Sequence, residues 1–257
     1  MKTSQQGTLL VESYVDNCIL GNADADKTSN EILRLARDRE TFGVIFATGA
    51  SQFETLRHLR KRVDLPWHKI IGFHLDEYVG LTPEHGASFR GYLREALPLS
   101  KMKAFYELDG TSSNPDKTAE QYAARLREVN PSLCLLGIGE NGHLTFNDPW
   151  EADFNDPKDV RLVNLDDQCR EQQYAEGWFD SIADVPLRAL TLTVPAIMRV
   201  PMLIAGVPGK RKAAIVKKVF DAPITPGCPA TILGTHPNAT LYLDTESSTG
   251  ITSLLHE

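Results

Sequence analysis

Cysteine is scarce and scattered. Cys18, Cys134, Cys169 and Cys228 form no CxxC pair and no paired Cys/His ligand spacing. That argues against a disulfide framework and against a zinc site, and it fits a reducing compartment. Long apolar runs are missing too. Nothing approaches the ~20 residues needed to span a bilayer, and the N-terminal apolar stretch is too short and too broken by charge for a signal peptide. Positive charge is in deficit: 27 Lys and Arg stand against 34 Asp and Glu, a formal net charge of -7. Such a chain has no general electrostatic reason to bind nucleic acid or an anionic membrane, and an anionic ligand would need a local cationic pocket. There is no internal repeat and no low-complexity segment. These absences lead us to expect a cytoplasmic protein with no nucleic-acid or membrane partner.

What is present suits a globular α/β protein. The 257 residues are 42% hydrophobic and 24% charged, enough apolar material for a core. No domain boundary is evident, so residues 1–257 read as a single domain. Residues 7 to 40 read as helical with a break around Gly21–Asp26. Gly43–Ala47, Lys69–Leu75 and Leu133–Ile138 read as strands, as do Val160–Leu165, Ala189–Val194, Met202–Ala205 and Thr240–Leu243. Helices are expected at about 52–62, 86–96, 115–129, Asp167–Glu176 and Gly209–Phe220. Strands alternating with helices imply a doubly wound, mostly parallel sheet covered on both faces.

In such folds ligands bind beyond the carboxyl ends of the strands, and three polar clusters fall at such ends. Thr48, Gly49, Ala50 and Ser51 form a small-residue turn opening a helix. Its N–H groups and hydroxyls suit a phosphate monoester; the alternative is a plain turn with Ser51 or Thr48 as a cap. It matches neither a Walker loop nor GxGxxG. Asp76 and Glu77 close an apolar strand. One of them facing a crevice can move a proton between neighbouring carbons, or both are loop acids or helix caps. The third cluster, Gly137 to Asp148, holds His143, able to exchange protons near neutral pH. Asp148 can orient its ring, and a structural histidine is the competing reading. A fourth feature, Gly209-Lys-Arg-Lys-Ala213, puts three cations at a helix start against the dipole. It marks either an anion site or a solvated basic face.

Together these segments resemble the glucosamine-6-phosphate deaminase/isomerase family, whose relatives include 6-phosphogluconolactonases. The resemblance runs from about residue 40 to 245. It is carried by Phe46–Ser51, Leu75-Asp-Glu-Tyr-Val-Gly-Leu81, Gly137–Pro149, Ala189–Thr193, Gly209–Ala213 and His236-Pro-Asn. It implies a Rossmann-like subunit acting without a cofactor or metal on a small-molecule sugar phosphate. The implied reaction is aldose–ketose isomerisation with deamination, taking glucosamine 6-phosphate to fructose 6-phosphate and ammonia. Asp76 matches the family's C2-to-C1 proton shuttle and His143 the ring-opening histidine, with Asp148 and Asn141 beside it. Thr48 to Ser51 match the phosphate loop, Lys212 the phosphate lysine, and residues 149–185 a lid.

The chain departs from the family pattern in several places. Asn141 stands where well-known members have an acid. Asp148 stands where they usually have Glu, one methylene longer, so contact with His143 is expected to need a shift or a water. No arginine falls at the expected place within Cys169–Trp178, where Arg170 is the nearest candidate. The long tail of allosteric hexameric members is absent, so a monomer or small homo-oligomer without that allostery is expected. The alternatives to a deaminase are a lactonase-like hydrolase using His143 without Asp76, and a non-catalytic sugar-phosphate sensor.

Overall fold

The computed structural model describes residues 1–165, 167–175 and 177–256. The chain opens with a hairpin, β1 (Lys2–Gln6) and β2 (Leu9–Tyr14), then α1 (Asn17–Asp38) and β3 (Phe42–Phe46). α2 (Phe53–Lys61), β4 (Ile70–His74), β5 (Asp76–Tyr78), α3 (Phe89–Ala96), the two-residue β6 (Ala104–Phe105), α4 (Pro115–Val129) and β7 (Leu133–Leu136) follow. The second half contains β8 (Val160–Asn164), α5 (Asp167–Ala175), β9 (Arg188–Leu192), α6 (Val194–Met198), β10 (Leu203–Val207), α7 (Ala213–Asp221) and β11 (Ala239–Asp244). Glu176, the expected end of the fifth helix, lies outside the described residues.

Eight strands form one sheet in the order β1-β2-β11-β10-β7-β3-β4-β6. All neighbours are parallel except β1 and β2. The central strands read as unbroken apolar runs because helices cover both sides. All five residues of β3 and all four of β7 are buried. From β3 the chain moves toward one edge, through β4 to β6. It then returns to β7 and moves toward the other edge through β10 to β11. With right-handed crossovers, α1 and α2 cover one face and α4 and α7 the other. This is the doubly wound, Rossmann-like arrangement expected. The direction of winding reverses between β3 and β7, which places the ligand crevice beyond their carboxyl ends.

The first 40 residues differ from expectation. Residues 9–14 are a strand: Leu9, Val11 and Ser13 are buried while their neighbours are not, and alternation of this kind belongs to β structure. The helix begins only at Asn17, where the Asp16 side chain accepts a hydrogen bond from the Ile19 N–H at 2.8 Å. It runs unbroken through Gly21. That glycine is a contact point with α2, since a Cβ there would stand 2.3 Å from the Glu54 Cβ.

A second, antiparallel sheet, β5-β9-β8, also differs from expectation. Only Leu75 separates β4 in the large sheet from β5 in the small one. Asp76 pairs with Thr191, Glu77 with Leu190 and Tyr78 with Ala189. The small sheet therefore carries Asp76 over the carboxyl ends of the large one.

Candidate active site

A cleft of about 510 Å³ lies at this reversal point. Thr48, Gly49, Ala50 and Ser51 line it from the end of β3, and Gly137, Gly139 and His143 from the end of β7. Asp76 lines it from β5 and Lys212 from the segment after β10. Residues dispersed over more than 160 positions of sequence meet here because parallel strands deliver their following loops to one end of the sheet.

Asp76 and Glu77 divide their tasks. Glu77 is fully buried and does not line the cleft. Its carboxylate accepts hydrogen bonds from the N–H groups of Tyr78, Phe89 and Arg90 and from the Ser88 hydroxyl, between 2.9 and 3.2 Å. It caps the start of α3, where the helix dipole favours an anion, although burial still leaves its pKa above the ordinary value. Asp76 reaches the cleft instead. Burial, with the nearby Glu77 charge, raises its carboxyl to about 8.

His143 Nδ1 lies 3.0 Å from Asp148 Oδ1. The shorter aspartate thus touches the ring directly, and the expected shift or bridging water is not needed. The reason is Asn141. Its Nδ2 donates to the same carboxylate oxygen at 2.7 Å while its Oδ1 accepts from the His143 N–H at 3.0 Å. Asn141 ties both ends of the loop together. Neither Asn141 nor Asp148 lines the cleft; they stand behind the imidazole. Burial opposes ionisation of Asp148, but the bonds and charge from His143 and the Asn141 bond outweigh it and hold the acid below its ordinary value. With Nδ1 engaged, Nε2 is the nitrogen left for a ligand. The loop continues through Thr145 in the left-handed region at φ 57°, braced by an Asn147 Nδ2 bond at 2.7 Å and by Thr191 Oγ1 at 2.6 Å.

The two helix starts facing the cleft have the same shape. Gly49 (φ 88°) and Gly209 (φ 93°) each turn the chain into a short 3-10 segment before α2 and α7, a conformation that suits glycine. Their electrostatics differ. At the second turn the Gly209 N–H donates to Asp244 at 2.9 Å and the Lys210 N–H to Glu246 at 3.3 Å, while Arg211 pairs with Glu140 at 2.7 Å. The basic run is therefore balanced largely within the fold.

Some lining residues carried no motif: Gln172, Gln173 and Trp178 after β8, and Phe53 and Tyr92 on α2 and α3. Trp178 stands edge-on to Phe53 at 6.1 Å, and Gln173 accepts from the Tyr78 hydroxyl at 2.6 Å. Phe53, Tyr92 and Trp178 are marked in the sequence only as aromatics within polar stretches, and the two glutamines are not marked at all. Arg170 does not line the cleft. Its guanidinium donates to the carbonyls of Ile182 (2.6 Å) and Val185 (3.3 Å), so it is a brace of its own segment and not an anion ligand.

Among the described residues, Cys18, Glu54 and His58 bring one donor atom each within 4.8 Å of one another where α1 meets α2. The Arg57 guanidinium is ion-paired with Glu54 and lies 3.8 Å from the Cys18 Sγ. This cluster carries its own cation, and none of its three donors lines the cleft.

Comparison with known proteins gives a consistent family. The family described as glucosamine-6-phosphate isomerases/6-phosphogluconolactonase matches residues 19–152. A glucosamine-6-phosphate deaminase of Exiguobacterium sibiricum is 32% identical over 218 residues, covering 83% of each chain. One of Staphylococcus epidermidis is 34% identical over 212 residues, covering 79% of this chain and 84% of that one. Among solved structures, a monomeric glucosamine-6-phosphate deaminase superposes with a TM-score of 0.84 at 25% identity, over 93% of this chain and 99% of that one. A 6-phosphogluconolactonase of Thermotoga maritima shares the fold, with a TM-score of 0.74 at 17% identity over 92% and 100% of the two chains. With its winding, its switch-point cleft and these relatives, the chain belongs to the glucosamine-6-phosphate isomerase/6-phosphogluconolactonase family.

Proposed function

We propose that this chain converts glucosamine 6-phosphate and water to fructose 6-phosphate and ammonia. The observation that carries the reading is the convergence of the Asp76 carboxyl and the His143 imidazole on one cleft, together with the Thr48–Ser51 turn and Lys212. The turn's N–H groups and the lysine take the phosphate at one end of the sugar. His143, through Nε2, moves the proton between the C1 hydroxyl and the ring oxygen that opens the pyranose. Asp148 and Asn141 hold the imidazole for this step. Asp76 then takes the C2 proton while the C1 oxygen takes one from the substrate's C2 ammonium, giving a neutral enolamine, and Asp76 returns its proton to C1. Water adds to the resulting C2 iminium and the nitrogen leaves as ammonium, so atoms and charge balance.

The deaminase names of the relatives at 32 and 34% identity favour this reading over lactone hydrolysis. So does the placement of Asp76, which a lactonase would not require. Residues 1–257 then act as one unit, with 149–185 as the lid that brings Gln172, Gln173 and Trp178 to the cleft. The protein works in the cytoplasm as a monomer or small homo-oligomer. Among the described residues, no helix is long and apolar enough to cross a membrane.

The test is ammonia release from glucosamine 6-phosphate and galactosamine 6-phosphate side by side, by the unaltered protein and by Asp76→Asn. Turnover of one sugar that collapses with the substitution supports the reading and names the epimer. Acid release from 6-phosphogluconolactone that is indifferent to Asp76→Asn, without ammonia, overturns it in favour of the hydrolase. Tight binding without turnover favours the sensor.

A further inference from the structure

The step from the large sheet to the small one is made in a single residue, Leu75, and the side chain that braces it is His74. This histidine is fully buried and does not line the cleft. Its Nε2 receives the Leu108 backbone N–H at 2.8 Å. A backbone N–H only donates, so Nε2 carries no proton. Its Nδ1 lies 2.9 Å from the carbonyl oxygen of Asp76. A carbonyl only accepts, so Nδ1 carries the hydrogen. The partners thus fix one neutral tautomer. Burial acts in the same sense and depresses the imidazolium to about 4. The ring plane is fixed by Phe105, stacked at 6.0 Å, and by Tyr122, edge-on at 6.1 Å. The Tyr122 hydroxyl closes the assembly. It accepts from the His74 N–H at 2.8 Å and donates to the His74 carbonyl at 2.9 Å.

We propose that His74 is a positioning residue for the reaction: by tying the Asp76 carbonyl to the backbone at Leu108, it sets the direction in which the Asp76 carboxylate enters the cleft. The proposal rests on the reading that Asp76 moves the C2 proton. An uncharged ring is suited to the task. It holds the main chain of Asp76 without adding a cation that would keep the carboxylate ionised and weaken it as a base. The chain leaves one sheet and enters another within two residues, and Asp76 is the first residue of a three-residue strand that pairs with β9 at Thr191, so the His74 contact supplements a short ladder in fixing the carboxylate's aim. A misplacement of about 1 Å at a reacting group costs on the order of 100-fold in rate.

The two contacts of His74 separate by side-chain length. An asparagine amide nitrogen falls near the position of Nδ1 and keeps the bond to Asp76. A glutamine amide oxygen falls near Nε2 and keeps the bond to Leu108. The expected result is that His74→Gln lowers kcat by roughly 10- to 100-fold, leaves KM within about threefold and shifts the acid limb of the pH–rate profile. His74→Asn keeps kcat within several-fold while melting at a lower temperature. Losses in both variants that follow melting temperature, with the pH profile unmoved, overturn the proposal and leave a packing role. An Asp76→Asn variant of full activity overturns the underlying reading with it; dependence on Asp76 combined with indifference to His74→Gln overturns the proposal alone. A further measurement needs no substitution. The ring 15N resonances of His74 in the native protein should report an Nδ1–H tautomer that does not titrate from about pH 5 to 9. A ring that titrates in that range overturns the proposal even if the variants do not fold.

Discussion

Asp148 Oδ1 stands 3.0 Å from His143 Nδ1, and the oxygen that makes this contact also accepts the Asn141 amide at 2.7 Å. One carboxylate oxygen therefore fixes both the ring and the loop that carries it. Asp148→Asn can present the wrong dipole to Nδ1 and release the tautomer. We expect kcat to fall by about 100- to 10,000-fold with little change in KM. Steady-state kinetics with glucosamine 6-phosphate checks it; a loss confined to KM would show that the pair serves binding instead.

Asp76 should make the rate rise at unusually high pH. Its carboxyl is raised to about 8, and the base form is the ionised one. A larger fraction is therefore inactive at pH 7 than at pH 9. The acid limb of kcat/KM, corrected for titration of the substrate itself, is expected near 8. A limb near 4, where an ordinary aspartate ionises, would contradict the burial that the cleft imposes.

The same shift makes Asp76 a liability to folding. A carboxyl whose folded pKa exceeds its unfolded value of 3.8 favours the folded state only while protonated. Relative to acid conditions, stability declines as pH rises from about 4 to 8. Asp76→Asn should accordingly raise stability by up to about 3 kcal/mol at pH 9 and by almost nothing at pH 4. Urea unfolding at the two pH values checks the sign, and an equal effect at both would refute it.

Two neighbouring cations should behave differently. Lys212 and Arg211 both line the cleft, and the Arg211 guanidinium is paired with Glu140 at 2.7 Å. Lys212→Met is expected to raise KM for the phosphorylated sugar by roughly 10- to 100-fold, the loss of one charge-assisted contact. Arg211→Gln should change it by less than about threefold, because an exposed ion pair contributes little. Comparable effects from both would move the anion subsite toward the second turn.

Much of the core was legible because buried parallel strands leave unbroken apolar runs. Residues 115–129 form a helix with the bounds the sequence suggests, and the structure shows Asn114 as its cap and Pro115 in its first turn. In the first 40 residues the expected helix holds over Asn17–Asp38, but Leu9–Tyr14 is a strand, and Gly21 looks like an interruption because its partner, Glu54, lies on another helix. The short strand Asp76–Tyr78 was missed since three residues carry no periodicity; only pairing with Thr191, Leu190 and Ala189 makes it a strand. Thr48–Ser51, Asp76 and His143 stand out from their places at strand ends and Lys212 from the family resemblance, and all of them line the cleft. That one of the two acids faces the crevice is legible in the sequence; that Glu77 caps α3 is not, because it depends on where the start of α3 lies in space. Nor could the sequence reveal that Arg170 is occupied by the carbonyls of its own segment.

The large sheet ends at β1 on one side and at the two-residue β6 on the other. β1 has the sequence Lys-Thr-Ser-Gln-Gln, with no apolar residue, and its outer side already holds His256 through hydrogen bonds of 2.8 Å with Thr3. β6 offers Ala104 and Phe105 alone. Neither rim is a template on which a foreign strand can lengthen the ladder, so a sheet rich in Val, Ile and Leu is protected against edge-to-edge aggregation by the brevity of one border and the polarity of the other.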